Sequence, residues 1–91
     1  REVIMKLFKI FKHGEFEKYY VAESWYELEK YIKQNYSDTV MSLFHNDLGE
    51  VDHLLIIDTS NGEVYIGVEE KNIELCNSFF CEKANQSMIR G

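Results

Sequence analysis

Proline is absent from this chain, cysteine occurs only twice, and no lysine or arginine appears between Gln34 and Glu70. Each absence excludes something. Without proline, nothing interrupts regular backbone structure. Two cysteines, Cys76 and Cys81, do not make the disulfide framework of a small secreted domain. No run approaches the roughly 18 apolar residues of a membrane span. Val3–Phe11 carries Lys6 and Lys9, which suits neither a signal-peptide core nor a transit peptide. These features place the chain in the cytoplasm with reduced thiols and no membrane partner. The five glycines are dispersed at 14, 49, 62, 67 and 91, so no phosphate-cradling loop is present.

The missing basic residues leave a lopsided charge. Eight carboxylates fall in the lysine-free stretch: Asp38, Asp47, Glu50, Asp52, Asp58, Glu63, Glu69 and Glu70. Residues 1–33 are nearly balanced at net +1, whereas residues 34–91 carry −7, which together give the formal −6. A field of one sign selects what approaches it. Solubility alone is served by either sign and does not account for the segregation.

Ninety-one residues, 45% hydrophobic and 29% charged, make one globular domain spanning 1–91. The clearest element is a helix over Ser24–Tyr36. Ser24 and Glu27 form a Ser-x-x-Glu capping box. Trp25, Leu28, Tyr31, Ile32 and Tyr36 share one side at helical spacing, with Glu27, Lys30, Lys33 and Tyr26 opposite. Val3–Lys12 also fits helical spacing. Its Val, Ile, Phe and Leu content and the His13-Gly14 turn favour a strand over 3–12, paired with a second over 16–22. Thr39–Phe44 reads as a strand, Asn46–Gly49 as a loop, and Asp52–Asp58 as a central strand apolar on both faces. Asn61-Gly62 suits a tight hairpin turn. Glu63–Glu69 alternates, with Val64, Ile66 and Val68 predicted inward and Glu63, Tyr65 and Glu69 outward. A short strand or turn near 72–76 and a helix from Ser78 complete the chain. The predicted class is α+β: a two-layer fold with an antiparallel sheet in ββα-βββ-α order and the capped helix on one face.

Catalytic and metal chemistry have little to stand on. Ser42, Ser60, Ser78 and Ser87 lack a nucleophile signature, and His53 lies in an apolar strand as a packed or sheet-face residue. For zinc, Cys76 and Cys81, separated by four residues, sit at the loose edge of the Cys-x₂₋₄-Cys ligand spacing, and His13, His45 and His53 are scattered singly. Asn46, Asp47, Glu50 and Asp52 miss the alternating pattern of a calcium loop. No enzyme activity, cofactor or metal is expected. Direct nucleic-acid binding is disfavoured as well, because Lys6, Lys9 and Lys12 would alternate faces on a strand.

What remains is binding. Asp47, Glu50, Asp52, Glu63, Glu69 and Glu70 are the candidate partner-binding acids, imitating nucleic-acid phosphates toward a basic protein. Tyr26 and Tyr65 are added as tyrosines expected outside the core, since tyrosine is enriched at interfaces. The stretch Leu54–Phe80 (LLIIDTSNGEVYIGVEEKNIELCNSFF) resembles the closing strands and Ser-Phe helix start of the SUKH superfamily of bacterial toxin-immunity proteins. That resemblance covers about a third of the chain and stops short of the N-terminal hairpin and helix, which follow another pattern. It implies a bacterial inhibitor or immunity protein. The sequence therefore points to a small acidic inhibitor of a nuclease or nucleic-acid-handling partner, of the phage anti-defence or toxin-immunity kind. The alternative is a structural or regulatory accessory domain, with homodimerisation through a sheet edge.

Overall fold

The computed structural model describes residues 4–90, with side chains over 4–82; Val3, placed in the first strand above, lies outside the described residues. Five strands and two helices follow one another as β1 (Lys6–Lys12), β2 (Glu15–Ala22), α1 (Trp25–Asn35), β3 (Thr39–His45), β4 (Val51–Asp58), β5 (Val64–Glu69) and α2 (Ile73–Arg90). The strands form one antiparallel sheet in the order β2-β1-β5-β4-β3, so β2 and β3 are its edges. The ββα-βββ-α order and the α+β class stand as read from the sequence. Among the described residues, no helix is long and apolar enough to cross a membrane.

Local chemistry explains each junction. His13 and Gly14 both take positive φ, as a two-residue hairpin loop of the type I′ family needs. Ser24 caps α1, its Oγ accepting from the Glu27 amide at 3.2 Å. The Glu27 carboxylate reaches back to the Glu23 amide at 2.8 Å, one residue ahead of the Ser24 amide that a capping box would use. The Asn61-Gly62 turn is wider than a two-residue hairpin: the Gly62 amide donates to the Asp58 carbonyl, and the Asp58 amide to that of Glu63.

The sheet has two unequal faces. On the helix face, Phe8, Ile10, Ala22, Leu54 and Ile56 close against Leu28 and Ile32 of α1. Phe8 is fully buried and meets Trp25 edge-on, ring centroids 4.8 Å apart. Gly67 belongs to this face too. A Cβ there would stand 3.2 Å from Ile10 Cδ1 and 3.6 Å from Leu54 Cβ, so the missing side chain lets two core residues close over β5.

Two predictions need correction. The facing of β5 is inverted: Tyr65 and Gly67 lie toward α1, and Tyr65 packs against the core cluster instead of standing outside it. Val64, Ile66 and Val68 fall on the opposite face, where they are half-buried. The last helix begins at Ile73, ahead of Ser78, and replaces the expected strand or turn. Asn72 caps it, its Oδ1 accepting the Leu75 amide at 3.1 Å.

The face away from α1 is mainly apolar, with Lys9, Ser42 and His53 as polar members, and is open toward the β3 side. It carries Leu7 and Phe11 of β1, Tyr19 of β2, Ile66 of β5, Leu55 and Ile57 of β4, and Val40 and Phe44 of β3. Helix α2 touches it at the β2 margin, through Phe79 against Tyr19 at 5.1 Å, and Leu7 is buried. At the other margin Val40 is 55% and Phe44 44% exposed.

Candidate functional site

Two reversals of chain direction decide where the acids go. The hairpin between β3 and β4 puts Asp47 and Glu50 at one end of the sheet. There the Asn46 side chain ties the loop, accepting the Leu48 amide at 2.9 Å and the Glu50 amide at 3.1 Å. Asp52 opens β4 at the same end. Because Leu54 pairs with Gly67 and β5 runs antiparallel, Glu69 leaves the β4–β5 ladder beside Asp52. Asp47, Glu50, Asp52 and Glu69 are thus gathered at one end, and among the described residues none has a lysine or arginine partner. Lys6 and Lys71 flank this end and, among the described residues, bond to none of the four.

Asp52 has a different partner. Its Oδ2 lies 2.8 Å from His53 Nδ1, and the His53 ring stacks flat on Phe44, centroids 4.7 Å apart and 8° from parallel. His53 is thus a sheet-face residue on the open side, held between an acid and an aromatic ring.

The remaining candidates are not part of this cluster. Glu70 sits at the same end but is ion-paired to Lys9 at 2.8 Å and accepts the Asn72 amide at 3.1 Å. Glu63 is at the opposite end of β5, paired to Lys12 at 3.0 Å and accepting the Tyr65 hydroxyl at 2.8 Å. The lysines of the first hairpin therefore neutralise two of the six acids. Tyr65 is an internal residue of that second network, whereas Tyr26 is exposed on the outer face of α1 at 77%. What sequence reasoning missed is the pairing itself: Lys9 and Lys12 lie far along the chain from their partners, and only the β1–β5 ladder joins them. Among the described residues, no three of the metal-ligating side chains converge.

The second network has a legible pH signature. Lys12, then the Tyr65 hydroxyl, hold the Glu63 carboxyl below its ordinary value of 4.5. Lys9 and the Asn72 amide do the same for Glu70. A carboxyl depressed in the folded state stabilises it above the unfolded value, and that contribution is lost as pH falls through the folded one. The urea midpoint should therefore drop on acidification below about 4.5. Glu63→Gln with Glu70→Gln should give a lower midpoint at neutral pH and a shallower acid limb. Tyr65 moves the other way. The hydrogen bond to Glu63 pushes its phenol up to about 12, so that contribution is complete below the ordinary tyrosine value and lost as pH rises through about 12. In an ultraviolet phenolate titration, the difference between wild type and Tyr65→Phe should appear late and move to lower pH when Glu63 is made Gln. A difference curve unmoved by Glu63→Gln contradicts the network.

No protein family, curated protein or solved structure matches this chain.

Proposed function

We propose that the chain is a non-catalytic cytoplasmic binding protein that inhibits a basic protein partner by covering its positively charged surface. Nucleases and nucleic-acid-handling complexes are the partners of choice, because they must carry positive grooves to hold phosphates. An inhibitor of this kind, in a phage anti-defence or toxin-immunity role, acts by steric and electrostatic occlusion and does not itself bind nucleic acid. The observation that carries this reading is the gathering of Asp47, Glu50, Asp52 and Glu69 at one sheet end, without a lysine or arginine partner among the described residues. Glu63 and Glu70 are left out of the binding set, since each is already neutralised by a lysine.

The test is capture followed by inhibition. Immobilised protein should retain basic nucleic-acid-handling proteins, release them as salt approaches about 1 M, and slow a retained nuclease in proportion to occupancy. Retention of neutral proteins alone, or retention indifferent to salt, goes against the reading. A second reading, a structural or regulatory accessory module that self-associates, is favoured by the apolar face opposite α1, where Val40 and Phe44 stand exposed.

A further inference from the structure

Of the five strands, β3 (TVMSLFH) is the only one without a lysine, arginine, aspartate or glutamate. It is also an edge. Edge strands expose unpaired amide and carbonyl groups, and proteins ordinarily blunt them with charges, proline, bulges or a covering element. The other edge, β2, does so with Glu15, Glu17 and Lys18. On β3 none of these devices operates. The single irregularity of the β3–β4 ladder is an extra residue on the β4 side near His45, which leaves the outer rim of β3 regular. Nor does α1 close over the edge: an open groove of about 490 Å³, lined by Tyr26, Glu29, Lys30, Lys33, Gln34 and Met41, runs between helix and strand.

Resting on the second reading above, we infer that β3 pairs antiparallel with β3 of a second copy, about a two-fold axis through Ser42, joining two five-stranded sheets into one. The strand is complementary to itself in this register. Val40 falls opposite Phe44 and Ser42 opposite Ser42 on the open face, with Met41 opposite Leu43 on the helix face. Every cross-strand pair is apolar on apolar or hydroxyl on hydroxyl, the combinations that favour pairing. No charge meets its like, although the chain as a whole carries −6. The Lys33 ammonium takes the Thr39 carbonyl, which confines the new ladder to residues 40–44. Pairing would also run the two apolar faces together and bring both copies of Val40 and Phe44 under a neighbour. A charged or basic partner has no counterpart on this strand, so a second copy is the occupant whose chemistry fits.

Ser42 is exposed, so changing it leaves the core of each copy intact and reads the interface alone. Sedimentation at about 50 µM, above the micromolar range of weak dimers, should give twice the 10.8 kDa chain mass. Ser42→Lys puts two ammonium groups against each other on the axis and should weaken the dimer by about tenfold or more. Ser42→Cys, in a background of Cys76→Ser and Cys81→Ser, should oxidise to a cross-linked dimer, because antiparallel partners lie about 4.5–5.5 Å apart at Cα and disulfides span about 4.4–6.8 Å. A monomeric wild type overturns the inference together with the self-association reading. A dimer indifferent to Ser42→Lys, or one in which the Ser42→Cys variant fails to cross-link, overturns the β3 register while leaving self-association standing.

Discussion

Phe8→Ala should remove about 3–5 kcal/mol of folding stability, which is much of what a domain of this size possesses. At roughly 0.05–0.15 kcal/mol per residue, 91 residues hold on the order of 5–14 kcal/mol. Phe8 is fully buried, occupies the middle of the helix face, and meets the Trp25 ring at 4.8 Å. Removing it opens a cavity between sheet and α1 at the point where the strand layer meets the helix layer. Neither neighbour collapses readily into the gap: β1 is pinned on both sides by β2 and β5, and α1 by its cap. Urea unfolding followed by far-ultraviolet circular dichroism gives the loss, a better probe here than the fluorescence of Trp25, whose surroundings the substitution changes. Phe44→Ala, on the exposed edge of the other face, should cost the monomer less than about 1 kcal/mol. Equal losses at the two positions would mean that both faces are packed alike, and the distinction between a covered and an open side would fall.

That distinction also marks where the sequence was legible. The helix was readable because three signals agree: a capping serine, a glutamate three residues on, and apolar residues at one helical spacing from Trp25 to Ile32. Strand existence and order were readable from β-branched runs and from His13-Gly14 and Asn61-Gly62. The facing of β5 was not. Alternation tells which residues share a face but not which face meets the helix, and in β5 the set with Tyr65 and Gly67 looks like the solvent side because Glu63 and Glu69 share its spacing. Val64, Ile66 and Val68 look like a core set, yet they belong to the open side. The true core side carries Gly67, whose contribution is the absence of a side chain and leaves no apolar mark. The start of α2 had a signal that went unused, since Asn72 followed by Glu74 in the first turn is a reasonable cap. The candidate acids divide for a topological reason. Which carboxylate finds a lysine depends on the β1–β5 pairing, and no local pattern near Glu63 or Glu70 announces it.

The separation of paired from unpaired acids is what gives the electrostatic reading a sharp test. Reversing Asp47, Glu50 and Asp52 together to lysine changes the charge by six, from −6 to zero, all of it at one end of the sheet. If these side chains steer a basic partner, the association rate at low salt should fall by about 10- to 1,000-fold. The dissociation rate should change much less, because rim charges act mainly on encounter. The gap between variant and wild type should also close as salt rises and the Debye length shrinks to about 3 Å near 1 M. All three residues are exposed, so the fold should survive, and circular dichroism verifies it. Net charge alone must be separated from its position. Glu15→Lys with Glu17→Lys changes the charge by four on the β2 edge, far from the β3–β4 loop across the sheet. With both variants compared at about 0.15 M salt, where the Debye length is about 8 Å, that variant should slow association by no more than about threefold. Equal slowing by the two variants would reduce the acidic end to a contribution of overall charge, and an unchanged rate for the triple reversal would remove it from the interface altogether.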